Sequence, residues 1–172
     1  MAKKETGHQF IEHPLPPLYD ENSCILILGS FPSIKTREAG FFYGHPQNRF
    51  WPMMSALLQI VPPLTATDPE RTGKIMLARG IAIWDSIGAC EIKGSSDSSI
   101  RNVVPNDFEQ ILATSKISRI FCNGATAYQY YKKYQPLRPQ IEVRRMPSTS
   151  PAHAIKSLDA LIADWSVILD YL

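Results

Sequence analysis

The chain has 172 residues, which at roughly 150 residues per domain predicts one domain. Apolar residues make up 44% and charged residues 20%, and 18 basic against 16 acidic side chains leave a formal charge of +2. That balance excludes a disordered chain and excludes holding nucleic acid by bulk charge alone, although a basic patch on one face stays compatible with it.

Residues 1–22 carry Pro14, Pro16 and Pro17 and read as a lead-in segment draped on the surface, ahead of a single domain over 23–172. The run CILIL over 24–28, closed by Gly29, has the length and β-branching of a buried strand. A long stretch without clear periodicity follows, and then a helix over 50–60 with apolar residues at 50, 51, 53, 54, 57, 58 and 60. A second helix is expected over 69–79, with Ile75, Met76 and Ala78, and a second strand over 80–84 (GIAIW). Residues 85–102 read as a Ser/Gly-rich loop. Pro105-Asn106-Asp107 opens a helix through Leu112, with Asp107 in the first turn, where the helix dipole favours it. A third strand, RIFC over 119–122, ends at Asn123-Gly124 and leads into an aromatic-rich helix over 125–134. IEVRRM over 141–146 reads as a more polar edge strand, and 152–172 as a closing helix with Leu158, Leu161, Ile162, Trp165, Ile168 and Leu169 on one stripe. Short buried strands alternating with helices predict a parallel sheet with helices on both faces.

In such sheets the ligand crevice lies beyond the carboxyl ends of the strands. Four segments lie there. The first, Gly29-Ser30-Phe31-Pro32-Ser33, runs on to residues 41–51 (FFYGHPQNRFW). Aromatic rings beside His45, Asn48 and Arg49 suit a flat, hydrogen-bonding ligand such as a nucleobase; aromatics that only cap the core, with Asn48 as the helix N-cap, are the competing reading. The second holds Asp85, where a carboxylate could orient water or merely cap a turn. The third is Asn123-Gly124. The asparagine offers a donor and an acceptor to the edge of a base, unless it marks an ordinary turn. The fourth, Pro147-Ser148-Thr149-Ser150-Pro151, precedes a helix N-terminus where a DNA phosphate could sit, with Arg144, Arg145 and Lys156 as nearby positive charge.

Several motifs are missing. Neither Gly-x-Gly-x-x-Gly nor a P-loop is present, and there is no Gly-x-Ser-x-Gly elbow. Cys24, Cys90 and Cys122 form no Cys-x-x-Cys pair and read as buried thiols. His8, His13, His45 and His153 have no metal-binding spacing, so neither metal nor cofactor is expected. No apolar run approaches the length of a membrane span, and the first nine residues (MAKKETGHQ) lack a secretory pattern, so the expected location is cytoplasmic, associated with the nucleoid through function.

Taken together, Gly29-Ser-Phe-Pro-Ser33, the Phe42-Tyr-Gly-His-Pro-Gln-Asn-Arg-Phe-Trp51 run and Pro147-Ser-Thr-Ser-Pro-Ala152 resemble the uracil-DNA glycosylase superfamily. Within it the likeness is greatest to the DNA-deoxyinosine (hypoxanthine-DNA) glycosylase family, and Asn48-Arg49-Phe50-Trp51 is also similar to the mismatch-specific uracil/thymine branch. The resemblance spans residues 24–154. It implies a three-layer α/β/α sandwich around a four-stranded parallel sheet. It also implies hydrolysis of the N-glycosidic bond of a deaminated base flipped out of DNA, leaving an abasic site. It gives Asn48 the catalytic, water-holding role, and Phe31, Phe42, His45 and Asn123 base contacts. Ser148, Thr149, Ser150 and Arg145 fall to the DNA phosphate and minor-groove loop, with Gly29, Ser30, Ser33 and Asp85 in support. Phe31 stands where many superfamily members carry Asp or Asn, and Met146 where efficient uracil enzymes carry His. No lysine occurs in the matched motifs, so a Schiff-base lyase step is not implied.

The competing enzyme reading is a uracil- or mismatch-directed glycosylase of the same superfamily. A non-catalytic nucleic-acid-binding module is a second alternative, and a small-molecule hydrolase using Ser148 or Ser150 lacks a base at a recognisable spacing. The expected partner is DNA containing a deaminated base, with no membrane, and the expected state is a monomer. Residues 153–155 are candidates for a wedge into the base stack.

Overall fold

The computed structural model of the protein describes residues 7–172. Its centre is a four-stranded, all-parallel sheet in the order β3-β2-β6-β7, formed by β2 (Ile25–Gly29), β3 (Ile81–Asp85), β6 (Arg119–Asn123) and β7 (Glu142–Met146). Every residue of β2 is buried, as a central parallel strand covered on both faces must be. The period-2 alternation sorts the side chains. Ile25 and Ile27, with Ile81, Ile83 and Phe121, pack under α2 (Phe50–Leu58), α3 (Pro69–Ala78) and α6 (Leu158–Trp165). Leu26 and Leu28, with Ala82, Ile120 and Cys122, pack on the other face against α4 (Glu109–Thr114) and α5 (Ala125–Tyr134). The expected three-layer sandwich is therefore present.

Five expectations are corrected. Residues 9–18 are part of the domain, while residues 1–6 of the expected lead-in lie outside the described residues. Strand β1 (Gln9–Glu12) pairs antiparallel with β4 (Ile87–Ile92), Leu15 is buried, and Leu18 exchanges backbone hydrogen bonds with Ile83 on the open edge of β3. The prolines shape this strap without keeping it off the core.

The Ser/Gly-rich stretch is a hairpin. β4 and β5 (Arg101–Pro105) join β1 in a three-stranded sheet of order β1-β4-β5, with residues 94–99 at its turn. Register shifts along β4 disturb the alternation that would have marked it as a strand. Pro105 ends β5, so the following helix begins at Glu109 rather than near Pro105.

The long stretch after β2 contains α1 (Ile34–Ala39), capped by Ser33 Oγ accepting from the Thr36 amide at 3.1 Å. Six residues are too few to display a helical period. The closing helix breaks into a 3₁₀ turn (Pro151–His153), α6, and a second 3₁₀ turn (Ser166–Tyr171). Ser157 restarts the chain as the N-cap of α6, its hydroxyl accepting from the Ala160 amide. Among the described residues, no helix is long and apolar enough to cross a membrane.

Candidate active site

The carboxyl ends of β2, β3 and β6 open into a cavity of about 390 Å³. Gly29, Ser30, Phe31, Pro32 and Ser33 form one wall, Phe42, Tyr43 and Asn48 a second, and Ser148, Thr149 and Ser150 a third. Asp85 and Asn123 rise from the strand ends at its floor, and Ser95–Ser98 from the β4–β5 hairpin close its rim. This volume lies in the range of small-molecule sites.

Thr149 organises the polar groups. It is completely buried. Its amide donates to Asn123 Oδ1 at 3.0 Å, so the nitrogen of that side chain must be the atom that donates to Thr149 Oγ1 at 2.9 Å. The Thr149 hydroxyl, accepting there, spends its own hydrogen on Asn48 Oδ1 at 2.8 Å. Asn48 Oδ1 also accepts from the Phe50 amide at 3.0 Å. Two backbone N–H groups thus fix the orientation of both asparagines. Asn48 Oδ1 is saturated and its Nδ2 alone is available. Asn123 keeps one hydrogen on Nδ2 and one lone pair on Oδ1. The Arg49 amide donates to the Thr149 carbonyl at 3.2 Å, and its guanidinium binds the carbonyls of Ser150, His153 and Lys156. Arg49 therefore clamps the loop that carries Thr149 to the start of α2.

A second polar group sits at the end of β3. His13 Nδ1 accepts from the Leu15 amide at 3.1 Å, so Nε2 carries the hydrogen and donates to Asp85 Oδ2 at 2.6 Å. Both side chains are almost fully buried. The Asp85 carbonyl is itself held by Asn106 Nδ2 at 2.9 Å. Tyr43, with φ of 53°, stacks on Phe50 and buries a hydroxyl that has no hydrogen-bond partner among the described residues. Burial pushes that hydroxyl's pKa far up; the Asp85 charge adds to the rise and the Asn123 amide opposes it. Asp97, at the rim, accepts from Ser30 Oγ at 3.1 Å on each oxygen. Although Asp97 is exposed as a residue, its carboxylate faces the wall. Desolvation there raises its pKa, the Ser30 hydroxyl lowers it, and the Asp85 charge raises it further. Among the described residues, no three His, Cys, Asp or Glu side chains gather as a metal site.

The family description of the uracil DNA glycosylase superfamily matches residues 16–166. The chain belongs to this superfamily. It is similar to a protein named hypoxanthine DNA glycosylase from Methanosarcina acetivorans, with 33% identity over 83% of this chain and 89% of that one. A protein of the same name from Methanosarcina barkeri is 25% identical over the same shares. The fold is similar to a solution NMR structure from Methanosarcina acetivorans, described as a candidate uracil DNA glycosylase. The TM-score is 0.72 at 27% identity, covering 93% of this chain and 96% of that one.

In this superfamily member most of the residues singled out in sequence converge. Gly29, Ser30, Phe31, Ser33, Phe42, Asn48, Asp85, Asn123, Ser148, Thr149 and Ser150 all line the cavity. Phe31 is buried, its ring edge-on to His13 at 5.9 Å, and Phe42 is also in the wall. Others have internal partners or stand outside the cavity. Thr149 has no hydroxyl hydrogen to offer a phosphate, because its single hydrogen is donated to Asn48 Oδ1. Ser148 and Ser150 accept from the amides of Ser150 and Ala152, which shapes the turn and leaves each hydroxyl its hydrogen to donate. His45 is not in the cavity wall, and its Nδ1 accepts from the Gln47 amide. Arg145 lies outside this cavity, in an adjoining groove with Gly124, Ser148, His153 and Lys156. The sequence reading missed His13 and Tyr43 as site residues and gave Arg49 no clamping role. Only Tyr43 and Arg49 lay inside a recognised motif; His13 is 72 residues from Asp85, and no local pattern ties the two together.

Proposed function

We propose that the protein is a monofunctional DNA glycosylase that hydrolyses the N-glycosidic bond of a deaminated base flipped out of DNA, with hypoxanthine as the main substrate, and leaves an abasic site. The observation that carries this reading is the fixed orientation of Asn123. Its remaining lone pair and remaining hydrogen form an acceptor beside a donor at the cavity floor. Hypoxanthine presents the complement, N1–H beside O6. Adenine presents the reverse, an N1 acceptor beside an amino donor, and would leave buried groups unpaired. Uracil offers the same complement through N3–H and O4, as do guanine and thymine, so this edge separates the products of deamination from their parent bases, adenine and cytosine, which present the reverse. The two relatives named hypoxanthine DNA glycosylase favour the purine.

Asn48 Nδ2 supports charge building on the leaving base. With its oxygen tied to Thr149 and Phe50, Asn48 meets the base or a water only by donating from Nδ2. Arg145 and Lys156, in the groove beside the cavity, lie where DNA phosphates would pass, and Ile155, fully exposed at the loop tip, suits insertion into the base stack.

The test is alkaline strand cleavage of labelled duplexes carrying a single hypoxanthine, uracil, xanthine or normal base. Cutting at hypoxanthine, lost in Asn123→Ala, is the expected result. Cutting mainly at uracil would transfer the protein to the uracil-directed reading. Retained DNA binding without cutting at any base would refute the enzymatic one.

A further inference from the structure

We infer that the Ser95 hydroxyl, at the turn of the β4–β5 hairpin, donates to N7 of the flipped purine and so favours hypoxanthine over uracil and thymine, which present the same edge to Asn123. This rests on the glycosylase reading above. Ser95 is exposed and lies on the rim of the cavity. Its oxygen accepts at 2.9 Å from the Ile34 amide, one of the N–H groups that the first turn of α1 leaves without a helical partner. Its hydrogen goes to no group among the described residues, so the hydroxyl is fixed in place and can still donate. The hairpin is fastened to the same wall a second time, by Ser30 Oγ donating to Asp97. The Ser96 and Ser98 hydroxyls, also on the rim, pair with each other at 2.9 Å, and no backbone group fixes either of them.

The hairpin stands where the second ring of a purine would reach. Cys122 pairs with Leu28 in parallel register, so Asn123 stands beside Gly29 at about one strand spacing, 4.8 Å. Ser30 follows Gly29, and its side chain touches the hairpin. The space beyond a six-membered ring read by Asn123 is therefore bounded by the end of β2 and by the hairpin fastened to it. In a purine the five-membered ring fills that space, and once N9 carries the sugar, N7 is the only acceptor of that ring. Uracil and thymine end one ring short and leave the hydroxyl to water. Guanine shares N7, so this contact does not separate it from hypoxanthine. As the bond from the sugar to N9 breaks, N9 keeps the electron pair, and the negative charge spreads through the five-membered ring to N7 and on to O6. A donor at N7 therefore binds the transition state more tightly than the intact nucleotide.

The experiment is single-turnover release of hypoxanthine and of 7-deazahypoxanthine, in which a C–H replaces N7, by wild type, Ser95→Ala and Ser95→Thr. Ser95→Ala is expected to lose about tenfold on hypoxanthine, less than a buried transition-state donor contributes, because the rim is open to water. On 7-deazahypoxanthine the two proteins should release the base at equal rates; the slower departure of the analogue cancels, since one substrate is compared in two proteins. Ser95→Thr keeps the hydroxyl and should outperform Ser95→Ala on hypoxanthine. As free bases, hypoxanthine should inhibit wild type more strongly than Ser95→Ala, and 7-deazahypoxanthine should inhibit both alike, which decides the question if the analogue leaves too slowly to time. Full rate on hypoxanthine in Ser95→Ala would overturn the inference. So would an equal loss on both bases, which would make Ser95 only a prop for the hairpin. A wild type that prefers uracil would overturn it too, while leaving the enzyme a glycosylase. A wild type that excises no base would remove the glycosylase reading itself.

Discussion

Replacing Thr149 with valine tests whether the two asparagines work as one unit. The substitution keeps the branched shape and the backbone amide that anchors Asn123 Oδ1, and it removes only the hydroxyl. Two side-chain hydrogen bonds disappear, from Asn123 Nδ2 at 2.9 Å and to Asn48 Oδ1 at 2.8 Å. Each is worth about 1 kcal/mol net, so the expected stability loss is about 2 kcal/mol. For a domain of this size that lowers Tm by roughly 4–8 °C. Each amide retains one backbone anchor, from Thr149 or Phe50, but can swing about it. The loss of alignment should lower single-turnover excision by about 10–100-fold, with DNA affinity nearly unchanged. Thr149→Ser keeps the hydroxyl and should stay close to wild type on every measure. Wild-type rate and melting in Thr149→Val would show that the hydroxyl bridge organises nothing.

Gly29→Ala places a methyl 2.3 Å from Asp85 Oδ1 and must displace that carboxylate from His13, so excision should fall at least about tenfold while DNA binding persists; an unchanged rate would contradict the geometry. Arg49→Lys gathers its donors on one nitrogen, where Arg49 reaches the three carbonyls from two separate guanidinium nitrogens, and amide exchange over residues 150–156 should accelerate about tenfold, whereas unchanged protection would mean that the clamp is idle. Trp165→Phe leaves the Pro147 carbonyl without its 3.0 Å donor and should cost about 1–2 kcal/mol, read as a fall in Tm. Burial pushes the Cys90 thiol up to about 11 and the Cys122 thiol up to about 12, so at pH 8 a thiol reagent should modify half-buried Cys24 well before the other two; equal reactivity of all three in the native protein would refute their burial.

The parallel sheet was legible because its strands are short, three of them are largely apolar, and Gly29, Asn123-Gly124 and Pro147 punctuate their ends. Chain reversal at those points places the following residues at one end of the sheet, so most of the cavity lining could be named before any coordinates. The small antiparallel sheet was hidden. Its strand β4 is bulged and its turn is built from Ser and Gly, which locally look like a linker. Sequence also determined which residue types the site holds, though not which of their atoms are free. Thr149 looked like a phosphate ligand because hydroxyls before a helix commonly are, and only the approach of Asn48 and Asn123 consumed its hydrogen-bonding capacity. His13 looked like part of a peripheral strap until the pairing of β1 with β4 brought it to Asp85. Local pattern reports on neighbours along the chain, within a turn or a strand. Which lone pair and which hydrogen remain unspent depends on partners up to 101 residues away, and the tertiary structure alone brings those together.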